Sequence, residues 1–396
     1  MIPPKNFIAT PFAYHQEIEL EILNITNLGV GVGRMNGWVV MVPHVCIGEV
    51  VIVRIYRNLK NYSLGDLVKV VKFSPHRVEP RCALFGTCGG CQYQHMHYSL
   101  QLDLKRQHVE EVFEHLAGLK CSVKKCIHGD QCYGYRSKIT PHFQKKIPPI
   151  GFLKNGGRQI VDVERCPIAT ENVNRALPSM REKILNKKDF LKKGGTLLLR
   201  DLGDQVTADP RARVSLKVSN LEFSFCAGEF FQNNLFMLPE LIEFVSAAVA
   251  GPKYLIDAYC GVGVFGLAAA GKFESVIGVE ISELAIGFAR ENAERNNVTN
   301  ISFIAGVAER IFEAIEFPGS ETSAIIDPPR SGCDANFLEQ LLAFGPGKIA
   351  YISCAPDTQA RDLKILSKKY TVELMQPFDM FPQTRHIENV ALLVKS

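Results

Sequence analysis

From about Gln232 onward the chain repeats one local pattern, an apolar strand, a glycine turn and a helix, which leaves few folds open other than a doubly wound parallel sheet. Tyr254-Leu255-Ile256-Asp257-Ala258 reads as the first strand and Tyr259-Cys260-Gly261-Val262-Gly263-Val264-Phe265-Gly266 as its turn, where glycines admit a ligand close to the backbone. Ser275 to Glu280 is the next strand. It ends in an acid about 20 residues on, where a carboxylate can hold both ribose hydroxyls of a nucleoside cofactor. The following helix starts at Ser282, with Ile281, Leu284, Ala285, Phe288 and Ala289 expected to form its inner face. S-adenosylmethionine and a nicotinamide cofactor both fit this geometry.

The strand Ser323–Ile326 ends in Asp327-Pro328-Pro329-Arg330, which decides for S-adenosylmethionine, with Asp327 projecting toward cofactor or base. An aromatic residue in the place of Arg330 would point to methylation of an exocyclic amine, so carbon methylation leads. Cys354, in Tyr351-Ile352-Ser353-Cys354-Ala355-Pro356, follows another apolar strand, and Glu388 lies 34 residues further on. Together they suggest a nucleophile and a base. A thiolate added at C6 of uracil makes C5 able to attack a methyl group, and a carboxylate of raised pKa suits removal of the C5 proton. Taken singly, Cys354 also reads as a buried cysteine at a strand end and Glu388 as an exposed acid before Val390–Val394.

The chain has 396 residues, more than one usual core accommodates, so two or three domains are expected, and 46% apolar content argues against disorder. The net charge of +4 permits a nucleic-acid partner without demanding one. Residues Met1–Thr10 lack the apolar run of a signal peptide and no stretch approaches the length of a membrane span, so a soluble, cytoplasmic protein with no membrane partner is expected. The twelve cysteines are then reduced thiols, metal ligands or catalytic groups rather than a disulfide framework.

Between Glu17 and Phe73, strand-like runs at Ile18–Ile25, Gly29–Arg34, Trp38–Val42, Glu49–Ile55 and Leu67–Val71 suggest a compact five-stranded β-barrel of the oligonucleotide-binding (OB) type. Arg34, Arg54, Arg57, Lys60 and Lys69 could contact phosphates there, and the stretch resembles a TRAM domain, the RNA-binding barrel attached to several RNA-modifying enzymes. The cysteines Cys82, Cys88 and Cys91 follow at C-x5-C-x2-C, a ligand spacing that Cys166, in Cys166-Pro167, can complete. Zinc and an iron-sulfur cluster both accept four thiolates. Cys121, Cys126 and Cys132 read as packing cysteines, Leu100–Leu119 as an amphipathic helix, and the lysine-rich stretch Arg181–Lys193 as a solvated helix face.

At these motifs the chain resembles the RNA uridine-5 methyltransferases over nearly its whole length. The resemblance implies cofactor contacts at Gln232, Tyr259, Glu280 and Asp327, a nucleophile at Cys354 and a base at Glu388. It also implies a [4Fe-4S] cluster on Cys82, Cys88, Cys91 and Cys166. Members that combine barrel and cluster resemble the 23S ribosomal RNA enzymes, so 23S rRNA is the expected substrate, with no DNA partner and a monomeric protein. The family often carries Asn at the places of Val264 and Ala355 and a polar residue at that of Val307. The implied organisation is a TRAM-like barrel over 15–73, a central α+β domain with the iron-sulfur site over 74–231, and a Rossmann-like methyltransferase domain over 232–396, with the helix near 100–119 packed on the last. The alternatives are a tRNA m5U enzyme, an RNA cytosine-5 methyltransferase, and an RNA-binding assembly factor with an idle methyltransferase fold.

Overall fold

Alternating burial along its strands builds the first part of the chain. The computed structural model describes residues 3–144, 149–186, 194–306, 311–312 and 315–396. Its packing divides into two units: Met1–His108 with Phe152–Val161 and Gln383–Arg385, and Val109–Gly151 with Asp162–Pro382 and His386–Ser396. The boundary expected near residue 73 falls inside the first unit, because Tyr93, Met96 and Leu104 complete the core beneath its strands. The boundary expected near 231 falls inside the second, because Val214, Leu216, Phe223 and Phe225 share a core with Leu238, Phe265 and Phe288. Among the described residues no helix is long and apolar enough to cross a membrane.

In the first unit, β1 (Glu17–Glu21), β2 (Asn24–Ile25), β3 (Val30–Met35), β4 (Trp38–Pro43), β5 (Val50–Asn58) and β6 (Tyr62–Lys72) form one sheet in the order β1-β5-β6-β4-β3-β2. Six strands replace the five expected, since the run Ile18–Ile25 breaks after Glu21 into β1 and β2. Ile18, Leu20, Val51, Val53 and Ile55 alternate inward into one core. Gly65 is required by close approach: a Cβ there would lie 2.2 Å from Val53 Cγ1. Of the cations assigned to phosphate contacts, Arg54 pairs with Glu17 at 2.7 Å and Arg34 donates to the Gly37 carbonyl at 3.0 Å. Arg57, Lys60 and Lys69 are exposed.

Helix α1 (Tyr98–Val112) ends in a π-helical turn, Phe113–Ala117, closed by Gly118 in the left-handed region. Val109 and Phe113 enter the core of the second unit, whereas Leu116, expected on the apolar face, is exposed. The widened turn shifts the stripe away from an even α-helical period.

Beyond the π-helical turn the chain runs through short strands, β7 (Lys138–Ile139), β8 (His142–Phe143), β9 (Ile150–Leu153) and β10 (Ile160–Asp162), then α2 (Glu171–Asn186). The lysine-rich stretch is helical as far as Asn186, and residues 187–193 lie outside the described residues. Strands β11 (Gly195–Thr196), β12 (Leu199–Asp201), β13 (Val206–Thr207), β14 (Arg213–Val218) and β15 (Leu221–Cys226) lead to α3 (Leu238–Ala248).

The main sheet follows: β16 (Tyr254–Ala258), α4 (Val264–Ala269), β17 (Ser275–Glu280), α5 (Glu283–Arg295), β18 (Ile301–Ala305), β19 (Thr322–Ile326), α6 (Ala335–Phe344), β20 (Lys348–Ser353), α7 (Pro356–Leu366), β21 (Tyr370–Phe378) and β22 (Glu388–Lys395). Its order is β18-β17-β16-β19-β20-β22-β21, parallel through β20 and closed by an antiparallel pair. Both faces are covered, so neighbouring residues of one strand enter opposite cores. Leu255, Ile325, Ala350 and Ile352 pack on one side, and Ile256, Ile326, Ile349 and Tyr351 on the other. Ser282 caps α5 by accepting from the Ala285 N–H at 3.3 Å. The inner face of α5 is Ile286, Phe288, Ala289 and Ala293; Ile281 and Leu284 stay exposed, because Ile281 precedes the cap and Leu284 lies in the first turn beyond the sheet.

Candidate active site

In the sheet order, β16 has β17 on one side and β19 on the other, so the chain changes direction there and leaves a crevice beyond the strands' carboxyl ends. The turn after β16 opens onto that crevice. Tyr259, Gly261 and Gly263 all have positive φ, at 62°, 55° and 87°, and a Cβ on Gly261 would meet nothing within 4 Å. A non-glycine residue in the left-handed region, such as Tyr259, stores strain of the kind that gathers at ligand sites. Glu280 ends β17 and accepts from the Gly261 N–H at 3.2 Å and the Ser282 N–H at 3.0 Å. Those bonds aim its carboxylate along the turn and leave lone pairs for ribose hydroxyls. The residues present therefore fit a nucleoside cofactor.

Beneath the turn, Asp257 is buried, accepts from the Gly266 N–H at 2.7 Å through Oδ2, and leaves Oδ1 without a partner. Burial, and secondarily Asp327 and Glu280, push its pKa up to about 7. Asp327 follows β19 directly with part of its surface in solvent, yet its carboxyl is desolvated and likewise rises to about 7. Gln232 is buried in the stretch between β15 and α3, where Phe231 stacks on Phe225 at 4.3 Å.

The loop after Asp327 is anchored from below. Buried Asp362 of α7 accepts from the Tyr351 hydroxyl at 2.7 Å and from the Cys333 N–H at 2.8 Å. Gly332 has φ 77°, and a Cβ there would lie 2.6 Å from Asp362 Oδ2, so only glycine fits. A cavity of about 580 Å³ opens at this loop, lined by Tyr259, Pro329, Gly332, Cys333, Arg361 and Asp362 among others.

Cys354 follows β20 directly and is half-buried. Because β22 runs antiparallel to β20, its first residues meet the last of β20, and Ser353 pairs with Asn389. Glu388 is thereby brought to Cys354. Buried Gln359 ties the two strand ends together, accepting from Asn389 Nδ2 at 2.8 Å and donating to the carbonyls of Tyr351 at 2.8 Å and Asn389 at 3.3 Å. Burial pushes the Cys354 thiol up to about 11, Glu388 and Asp327 add to the rise, and the Arg330 guanidinium, hydrogen-bonded to the thiol, opposes it. Burial also drives Glu388 well above the usual carboxylate range, with Asp327 adding and Arg330 opposing. Sequence reasoning read Arg330 only as the absence of an aromatic residue; its place in the loop just beyond β19 was the available signal.

The fold thus gathers Cys354, Glu388, Asp327 and Arg330 around one point, with Tyr259 and Glu280 on the adjoining turn. Val264 opens α4 and Ala355 caps α7, while Val307 lies outside the described residues.

Cys82, Cys88 and Cys91 lie on a loop of the first unit pinned by the Gly89 N–H to the Leu153 carbonyl at 2.9 Å, and Cys166 belongs to the second unit. Among the described residues no three His, Cys, Asp or Glu side chains converge as a metal-holding group. The [4Fe-4S] expectation on Cys82, Cys88, Cys91 and Cys166 is therefore not supported among the described residues. Of the three cysteines expected to pack, Cys126 is buried, while Cys121 and Cys132 are half-exposed.

The family model described as tRNA (uracil-5-)-methyltransferase matches residues 210–396. The tRNA (uracil(54)-C(5))-methyltransferase of Schizosaccharomyces pombe is 39% identical over 97% of this chain and 79% of its own length. That of Saccharomyces cerevisiae is 34% identical over 96% and 74%. The crystal structure of Pyrococcus abyssi tRNA (uracil-54, C5)-methyltransferase in complex with S-adenosyl-L-homocysteine superposes with a TM-score of 0.74 at 27% identity, over 95% of this chain and 100% of that one. Identity at this level along almost the whole chain makes it a member of the RNA (uracil-5-)-methyltransferase family.

Proposed function

We propose that the chain methylates C5 of a uracil in tRNA, at the position the relatives' names give as 54, with S-adenosylmethionine as methyl donor. The observation that carries this reading is the meeting of Cys354 and Glu388 at the end of an antiparallel strand pair, beside Arg330 and Asp327. The Cys354 thiolate forms a bond to C6 and shifts the electron pair toward O4 and C5, so that C5 becomes the nucleophile. Arg330 favours that thiolate. S-adenosylmethionine supplies the methyl group when bound. Glu388 then takes the C5 proton, the C5–C6 double bond re-forms, and the thiolate leaves. Glu388 suits this late step, because a raised pKa makes it a stronger base than an exposed carboxylate. Gln232, Tyr259, Glu280 and Asp327 hold the cofactor, and the target base leaves its RNA stack to reach Cys354.

The preference for tRNA replaces the expectation of 23S rRNA. That expectation rested on the combination of barrel and cluster. The superposition with the Pyrococcus tRNA enzyme leaves fewer residues unmatched than the first-unit sheet contains, so such a sheet does not single out ribosomal substrates. The reading is tested with methyl-labelled S-adenosylmethionine and unmodified transcripts of tRNA, of tRNA with U54 changed to C, and of 23S rRNA. Label at C5 of U54, absent from the other two, is expected; label on 23S rRNA alone, or on another atom of tRNA, overturns it.

A further inference from the structure

Two cations oppose each other across a strand pair outside the centre described above. In the antiparallel register of β12 and β7, Arg200 stands opposite Lys138 and Leu199 opposite Ile139. Residues directly opposed share one face of the sheet, where like charges destabilise the pair. A third cation, Arg136, lies near enough to act on Lys138, and its Nε donates to the Lys138 carbonyl at 3.0 Å.

None of the three is neutralised by an ion pair with a carboxylate among the described residues. Arg200 is fully buried; its Nε and Nη2 donate at 2.8 Å each to the carbonyls of Ala227 and Glu229, and its guanidinium lies 5.0 Å from the centre of the Phe225 ring. Its Nη1 has no partner. Lys138 is half-buried with Nζ 3.4 Å from the Glu229 carbonyl. Burial first, then Arg200 and Arg136, bring its ammonium down to about 8 against the pull of Glu229. A buried guanidinium with an unused donor beside a second desolvated cation costs stability, and an arriving anion would offset that cost.

The cluster also has a position that matters. Ser137, between Arg136 and Lys138, donates from its backbone N–H at 2.8 Å and its Oγ at 3.0 Å to the carbonyl of Asn233, the neighbour of Gln232. An anion held here lies against the stretch that carries a proposed cofactor residue. We infer that Arg136, Lys138 and Arg200 form a phosphate site that takes a backbone phosphate of the substrate RNA and so registers the strand beside the active site. Guanidinium forks and an ammonium point charge together suit a tetrahedral oxyanion. The inference rests on the RNA-methylating reading above.

The test measures the affinity of the full-length protein for an unmodified tRNA transcript across a salt series. Lys138→Gln is expected to weaken binding about tenfold and to reduce the slope of log K against log salt by about 0.7 to 0.9, the share of one phosphate contact. Lys138→Arg should restore the slope, and S-adenosylmethionine affinity should be unchanged in both. Arg136→Gln, scored in the same way, repeats the test on a second residue should Lys138→Gln not fold. A slope and affinity equal to wild type in the Gln variants overturn the site, and if wild type still labels U54 the function stands. A reduced slope in a protein whose wild type does not methylate tRNA sinks the tRNA reading and leaves the phosphate site standing. No RNA affinity in wild type overturns both.

Discussion

Ser353 pairs with Asn389 across β20 and β22, and that single register sets Glu388 against Cys354. A parallel final strand would start at the far edge of the sheet. The antiparallel turn-back therefore brings together two residues 34 positions apart in the chain.

If Glu388 acts after the covalent bond to C6 has formed, its loss should stall the reaction at the adduct rather than prevent it. Glu388→Gln is expected to lower kcat by about two to four orders of magnitude and to accumulate a protein–RNA species on denaturing gels. Cys354→Ala should abolish both turnover and that species. An active Cys354→Ala variant would exclude the covalent route.

Arg330 and Glu388 act on the Cys354 thiol with opposite signs. The pH profile of iodoacetamide modification at Cys354, read by mass spectrometry, is expected to have a midpoint near 11 in the cofactor-free protein. Arg330→Gln should move that midpoint upward, because it removes the cation that favours the thiolate. Glu388→Gln should move it downward, because it removes a nearby negative charge. Shifts of the same sign in both variants would contradict the arrangement.

Asp257 carries a pH signature in stability. Its folded-state pKa of about 7 stands above the ordinary 3.8, so the folded state holds the proton more tightly than the unfolded chain does. The resulting stabilisation is fully present below about pH 4 and is lost as pH rises to about 7. Asp257→Asn keeps an oxygen for the Gly266 N–H and removes the ionisation. The melting temperature of the variant, measured by calorimetry without cofactor, should fall less than that of wild type between pH 4 and pH 8, by several kelvin. Parallel profiles would mean that Asp257 ionises normally in the fold.

Much of the centre was legible in the chain because its strands announce themselves. Tyr254–Ala258 and Ser275–Glu280 coincide with β16 and β17, since continuous apolar runs followed by glycine or an N-cap are local signals. Asp327, Cys354 and Glu388 were visible for the same reason, as each adjoins the end of an apolar run. Local signals were weaker where one face decides. Ile281 and Leu284 look like core positions by period and are exposed, and the apolar stripe of Leu100–Leu119 slips in the π-helical turn that contains Leu116.

The sequence by itself determined the parallel sheet, its glycine turn and the candidate reacting groups, because each depends on residues within a few positions of one another. Only the tertiary structure decided that β22 runs back beside β20, that Arg330 reaches the Cys354 thiol, and that Lys138 faces Arg200. Those relations are set by strand register and burial across distant segments, and by the desolvation that changes a group's charge, neither of which any short stretch of chain encodes.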